Sequence, residues 1–265
     1  MNSINGYQFI REIGQGSQSN VFLAENSEKN IVAIKVMRNT NLHAEIRLQN
    51  EETLLNQVEH PNLIPIFDSG TCNNGNHYMV MGYFESVSFA DYMKQMKGLD
   101  LKAKIRIMRN VAKVLGAIHK HNYVHRDLKP SNILINSTTE EIRLTDFGVV
   151  QIPESTLTKV FNLVGTPAYL SPEGFQTPKV RPSADIYSLG AIAYEFFLGE
   201  PLFDFSKIRR SSDLGLKTIS ENPRAPFKIK KDFPTNLAKV LETMLKKNPE
   251  SRYQNGYEAA KALDK

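Results

Sequence analysis

Cysteine is almost absent from this chain: Cys72 is the only one among 265 residues. An intramolecular disulfide needs two thiols and a Cys-rich zinc site needs more, so both are excluded, and a reducing compartment fits. Long hydrophobic runs are missing too. No apolar stretch approaches the roughly 18 residues that read as a membrane span. The opening "MNSINGYQFI" lacks the basic segment followed by an apolar one that marks a secretory leader. There are no internal repeats, low-complexity tracts or long linkers. A soluble, cytoplasmic chain without a membrane segment is the expectation. Charge of one sign is not concentrated either. The net charge is +5, but 33 Lys and Arg are scattered among 28 Asp and Glu, so no basic stripe calls for a nucleic-acid partner.

What is present suffices for a substantial core, with 41% hydrophobic residues in one large domain or two lobes. Two textures follow one another. From Tyr7 to about Phe84, short β-rich runs dominate: "YQFIREIG", "NVFLAE", "NIVAIKVM", "LIPIFDSG" and "HYMVMGYF", with one helical stretch from about Leu48 to Val58. Beyond Phe84 the pattern lengthens into helices, such as "LKAKIRIMRNVAKVLGAIHKH", "SADIYSLGAIAYEFFLG" and "PTNLAKVLETMLKK", with short strands at "NILI" and "EIRLTDF". A β-rich part followed by a helix-rich part implies an α+β chain of two lobes with a cleft between them. "PESTLTKVFNLVGTPAYLSPEG" is the longest segment without clear periodicity, and loops of that length are usually functional or disordered.

Chemistry is suggested first by "IGQGSQSNVFLA", where Gly14 and Gly16 fit a hairpin tip whose backbone approaches phosphate oxygens. A hairpin needs glycine for its turn in any case, so this signal is weak alone. In "IVAIKV", Ala33 and Lys35 point to one face, and Ile34 and Val36 to the other. A lysine in an apolar strand is costly unless its ammonium meets water or an anion. Beside the small Ala33, which leaves room for a flat ring, Lys35 reads as a phosphate contact. The stretch "YVHRDLKPSNILI" then supplies a carboxylate able to take a proton, Asp127. A lysine two positions on, Lys129, can steady a phosphoryl group, and an asparagine, Asn132, can bind Mg²⁺. Asp146 in "LTDFG" provides a second metal ligand. His119, His121 and His125 have a spacing that zinc could exploit. An i, i+2 pair shares no helical face, however, and no nearby carboxylate completes the set.

"VAIK", "HRDLKPSN", "DFG", "GTPAYLSPE" and "DIYSLG", in this order, resemble the eukaryotic-type (Hanks-type) serine/threonine protein kinase catalytic domain, over residues 10 to about 262. The resemblance implies one domain over 1–265 with a bilobal kinase fold. A small antiparallel sheet with one main helix would occupy about 7–84, and a mainly helical lobe about 85–265. It implies transfer of the γ-phosphoryl group of ATP to Ser and Thr of protein substrates, with ATP and Mg²⁺ as cofactors. A second copy of the chain would be the partner in autophosphorylation. Gly14 and Gly16 would lie over the ATP phosphates, Val21 and Ala33 above the adenine, and Leu134 below it. Met81 would be the gatekeeper, with Gly82 and Phe84 offering backbone groups to the adenine. Lys35 would hold the α- and β-phosphates, Asp127 would be the base with Lys129 beside it, and Asn132 and Asp146 would bind Mg²⁺.

Glu51 and Glu52 both fall on the helical face of Leu48 and Leu55, so periodicity does not choose Lys35's partner; the family register, counted back from "HPN", favours Glu51. Asp185 would anchor the catalytic loop by its backbone N–H groups, and Arg252 would pair with Glu173. Three departures stand out: Ser19 replaces the third glycine, Gly82 stands where many members carry Glu, and Ser171 replaces the alanine of "APE". Arg126 beside Asp127 implies control by a phosphate in the loop before Glu173. Thr158 is the leading site, ahead of Thr156 and Ser155, while Thr166 would bond Asp127 and Lys129. A small-molecule phosphotransferase would lack such a segment. A pseudokinase scaffold is disfavoured because all the key polar residues are present.

Overall fold

Alternating apolar residues make the first part of the chain a sheet. The computed structural model describes residues 3–16, 19–38, 42–95, 98–147, 167–177, 179–204 and 211–264. In it, β1 (Ser3–Ile4), β2 (Tyr7–Gln15), β3 (Ser19–Glu25), β4 (Ile31–Met37), β5 (Ile66–Thr71) and β6 (His77–Gly82) form one antiparallel sheet, ordered β1-β2-β3-β4-β6-β5. On one face Val32, Ile34 and Val36 pack with Ile4, Ala24, Tyr78 and Val80; on the other, Ala33 and Met37 pack with Leu48, Ile64, Met79 and Met81. A one-residue slip would exchange these faces, so the pattern pins the register that points Lys35 the same way as Ala33.

The long helix of this part, α1 (Leu42–Gln57), starts a turn and more before the expected Leu48. Its first turns, "LHAEIRLQ", are too polar for apolar periodicity to mark them. Its far end is tied to the second lobe: Leu54, Val58 and Leu63 join that lobe's core, and Tyr123 Oη donates to Gln57 Oε1 at 2.5 Å. Asn62 Nδ2 donates to the Ile142 carbonyl at 2.8 Å. A helix anchored so at one end leaves its middle, with Glu51, facing the sheet.

The second lobe contains a small antiparallel sheet of β7 (Val87–Ser88), β8 (Ile133–Ile135) and β9 (Ile142–Leu144), and the helices α2 (Phe89–Gln95), α3 (Leu101–Lys120), α4 (Ser183–Leu198), α5 (Ser211–Ser220), α6 (Pro226–Ile229), α7 (Thr235–Met244) and α8 (Gly256–Leu263). Asp100 caps α3 by accepting the Ala103 N–H at 2.6 Å, a contact worth about 1 kcal/mol. The residues of α4 are buried almost all round, as a helix at the centre of a core must be. It ends at Gly199, whose φ of +79° is a left-handed C-cap that favours glycine. Arg252 donates to both carboxylate oxygens of Glu173, at 2.7 and 2.8 Å, and to the carbonyls of Ser183, Lys246 and Lys247. That bidentate pair fastens the segment before α4 to the one before α8. The arrangement is α+β and two-lobed. Among the described residues no helix is long and apolar enough to cross a membrane.

Candidate active site

Lys35 sits mid-strand between Val21 of β3 and Met79 of β6 and is only 8% exposed. Its ammonium donates to Glu51 Oε2 and to Asp146 Oδ1, both at 2.7 Å. Of the two acids that periodicity leaves open, Glu51 is the buried one, at 2% exposure, while Glu52 accepts from Ser69 Oγ at 2.8 Å. Burial alone would lower the pKa of Lys35, but Asp146 and Glu51 outweigh it and hold the ammonium above the ordinary lysine value. Lys35 in turn holds the Asp146 carboxyl below the usual aspartate value. Asp146 keeps 47% of its side-chain exposure, so it can still reach something in the cleft.

The loop after α3 brings the second group together. Lys129 Nζ donates to Asp127 Oδ2 at 2.8 Å. Asn132 Nδ2 donates to the Asp127 carbonyl at 2.9 Å and to its Oδ2 at 3.3 Å. An asparagine whose nitrogen is used in this way presents its oxygen as the acceptor; in Asn132 that oxygen has only a long 3.5 Å contact from Ser131 Oγ beside it. Two residues here have left-handed backbones without being glycine: Arg126, φ +67°, and Asp146, φ +63°. Such strain persists where the surroundings overdetermine it, and it clusters at functional sites. At Arg126, Asp185 in the first turn of α4 supplies that determination. It accepts the N–H of His125 at 2.7 Å, the N–H of Arg126 at 2.9 Å and His119 Nε2 at 2.9 Å. Burial would raise its pKa, but the bond from His119 and the nearby donors outweigh this and keep the carboxyl below the ordinary value. His125, fully buried, packs on the Phe147 ring with centroids 5.0 Å apart.

Beside these groups, apolar side chains of the sheet gather with one from the second lobe. Ala33 and Met81 belong to one buried cluster, with Ile13, Val21 and Leu134 packed against it. Gly82 donates its N–H to the Pro65 carbonyl at 2.9 Å, leaving its own carbonyl as the group it can offer an adenine. A Cβ at Gly82 would come 3.2 Å from Pro65 Cγ, so this departure from Glu has a packing reason. Phe84 accepts Ser86 Oγ on its carbonyl at 2.9 Å, and its ring lies 4.6 Å beneath the Arg143 guanidinium. Gly14 pairs with Val21, and Gly16 donates its N–H to the Ser19 carbonyl at 2.8 Å. The approach to phosphate expected of Gly16 therefore does not use that N–H. Ser17, Gln18, Ser155, Thr156, Thr158 and Thr166 lie outside the described residues.

His119, weighed in the sequence only as a metal ligand, has a carboxylate beside it after all. It is Asp185, 66 residues away, and the other ring nitrogen accepts the Gly256 N–H at 3.1 Å. No periodicity or motif spacing links positions so distant. The site as a whole suits ATP and Mg²⁺. The side chains around small Ala33 are apolar, the ammonium of Lys35 is anion-seeking, and Asn132 with Asp146 offers the hard oxygen ligands that Mg²⁺ prefers. Asp146→Asn is expected to lose most of the extra thermal stabilisation that Mg²⁺ adds to ATP. Differential scanning fluorimetry with ATP, with and without Mg²⁺, checks this; an unchanged Mg²⁺ increment removes Asp146 from the ligand set.

The model of the family described as protein kinase domain matches residues 7–264. A probable serine/threonine-protein kinase of Clostridium acetobutylicum is 32% identical over 259 residues, covering 96% of this chain and 39% of that protein. The serine/threonine-protein kinase PrkC of Bacillus subtilis is 30% identical over 254 residues, covering 94% of this chain and 38% of that protein. A probable serine/threonine-protein kinase PknB of Lactococcus lactis is 30% identical over 253 residues, with 93% and 40% covered. The chain spans about two fifths of the length of these curated relatives.

Proposed function

We propose, from the premise that this chain belongs to the protein kinase family, that it moves the γ-phosphoryl group of ATP onto Ser and Thr hydroxyls of protein substrates. One observation carries the reading most. Lys35 is joined to Glu51 and to Asp146 by two 2.7 Å ion pairs, and the residue before Asp146, Thr145, donates its N–H at 3.0 Å to the carbonyl of Asn132, which belongs to the cluster of Asp127 and Lys129.

In this reading Asp127 accepts the proton of the substrate hydroxyl as its oxygen forms the new bond to phosphorus and the bond to the ADP oxygen breaks. Lys129, already on the Asp127 carboxylate, places positive charge where the transferring oxygens gather. Lys35 holds the nucleotide's α- and β-phosphates and is itself aimed by Glu51. Val21, Ala33, Met81 and Leu134 would enclose the adenine, and Asn132 and Asp146 would hold Mg²⁺. The metal, when bound, neutralises charge on the phosphate oxygens. Incubation with labelled ATP and Mg²⁺, followed by mass spectrometry, tests the proposal. Phosphoserine or phosphothreonine on a protein acceptor, or on the chain itself, is the expected product. Label transferred only to a small molecule or to water rejects it.

Regulation by loop phosphorylation belongs to the same reading. Arg126 has a half-buried guanidinium whose pKa burial lowers, against an opposing pull from Asp185. Among the described residues no carboxylate forms an ion pair with it. A desolvated guanidinium is a good seat for a phosphate, which adds roughly −1.5 to −2 charge. Thr158→Ala is expected to reduce peptide phosphorylation more than Thr156→Ala or Ser155→Ala, and Arg126→Ala to erase the difference between phosphorylated and dephosphorylated enzyme. Equal activity of phosphatase-treated and autophosphorylated wild type would show that no such switch operates.

A further inference from the structure

We propose that the C-terminal helix α8 takes part in aiming the catalytic loop, through a hydrogen-bond relay that runs from the Gly256 N–H through the His119 ring to Asp185. The inference deepens the kinase reading and rests on it for its effect on turnover.

The relay is fixed by its donors and acceptors. Gly256 N donates to His119 Nδ1 at 3.1 Å, so Nδ1 presents a lone pair and the ring proton sits on Nε2. His119 Nε2 is 2.9 Å from Asp185 Oδ2, and it is this tautomer that can donate there. The opposite tautomer would set a bare nitrogen lone pair against a carboxylate. Asp185 then passes the constraint on, Oδ2 accepting the His125 N–H and Oδ1 the Arg126 N–H, directly before Asp127. Every side chain in the relay is buried. Leaving a hydrogen-bonding group unmet in such a place is costly, which holds the ring and the carboxylate in one arrangement.

The sequence supports this arrangement at both ends. The first N–H groups of any helix lack an acceptor within it, and Gly256 opens α8, so His119 takes one of these orphans. Asn255 serves another, accepting the Glu258 N–H at 3.0 Å. Glycine is required at 256 by close approach: a Cβ there would lie 2.2 Å from both the Ala112 carbonyl oxygen and the Gly116 nitrogen of α3. Gly116 is matched to it, since its own Cβ would come 2.6 Å from the Tyr257 ring. Two glycines let α8 press onto the backbone of α3, and that approach brings the Gly256 N–H within reach of His119. Just upstream, Arg252 grips Glu173, so the same C-terminal segment also holds the segment preceding α4.

Two substitutions separate the ends of the relay. The amide of asparagine overlays Nδ1, so His119→Asn keeps an acceptor for Gly256 and loses the donor to Asp185. The amide of glutamine overlays Nε2, so His119→Gln keeps the donor and loses the acceptor. The readouts are hydrogen exchange at the His125 and Arg126 amides, kcat and KM for ATP in peptide phosphorylation, and Tm. His119→Asn is expected to speed exchange at both amides and lower kcat by about tenfold or more with little change in KM. His119→Gln is expected to fall between that variant and wild type in both exchange and kcat. A His119→Gln protein equal to wild type in both removes α8 from the relay. Loss of Tm alone, with exchange at the two amides and kcat unchanged, reduces His119 to a packing role and overturns the proposal. If His119→Asn does not fold, His119→Gln decides alone. A wild-type chain that phosphorylates no protein defeats the kinase reading, while the exchange data still judge the relay.

Discussion

Asp127→Asn is expected to bind Mg²⁺ and ATP much as wild type does and to transfer the phosphoryl group about a thousandfold more slowly. Asparagine preserves the shape of the side chain, and its oxygen can still accept the Lys129 ammonium that now lies 2.8 Å from Asp127 Oδ2. The backbone carbonyl of residue 127, which accepts Asn132 Nδ2 at 2.9 Å, is untouched, so Asn132, the proposed metal ligand, keeps its aim. What disappears is the ability to take a proton from the attacking hydroxyl. The effect should therefore fall on kcat, with KM for ATP nearly constant. Alanine would be a poorer probe, because it strips Lys129 of its partner and mixes a charge defect with the loss of the base. Single-turnover transfer to a peptide, with ATP affinity measured by calorimetry, gives both quantities. Turnover within tenfold of wild type would show that Asp127 is not the base.

Asp127, Lys129 and Asn132 are legible in the sequence because they lie on one short loop, where spacing alone brings them together. Lys35 is legible for a different reason: a charged residue in an apolar strand advertises a partner, and alternation shows which face it takes. Its partners are less so. Asp146 meets Lys35 across 111 positions, and only the resemblance to known kinases joined the two segments in advance. Glu51 and Glu52 share a helical face, so periodicity leaves the choice open; only the family register points to Glu51, which the structure buries against Lys35. The main strands and the long helices were visible as periodicity, whereas β1, β7, α2 and α8 are short enough for periodicity to pass over. The relay from α8 was invisible for the same physical reason, since Gly256 and His119 are 137 positions apart and nothing local marks either.

Lys35→Met should cost both activity and stability. Loss of the ammonium should lower turnover by orders of magnitude, since it removes the charge proposed to hold the α- and β-phosphates in line. Stability should fall as well, because the two carboxylates that Lys35 holds differ in their surroundings. Asp146, 47% exposed, can turn to water, but the Glu51 side chain is 3% exposed and would be left as a buried charge with no partner. Breaking a buried pair in this way costs about 3–5 kcal/mol, which is several degrees of Tm in a chain of this size. Lys35→Met combined with Glu51→Gln removes the stranded charge while keeping the side chain's shape. The double variant is therefore expected to recover much of the lost Tm and none of the lost activity. Calorimetric melting beside a peptide-phosphorylation assay, run on both single variants and the double, separates the two effects. Recovery of activity along with Tm would mean that Lys35 serves only to neutralise Glu51, and its assignment to the phosphates would have to be abandoned.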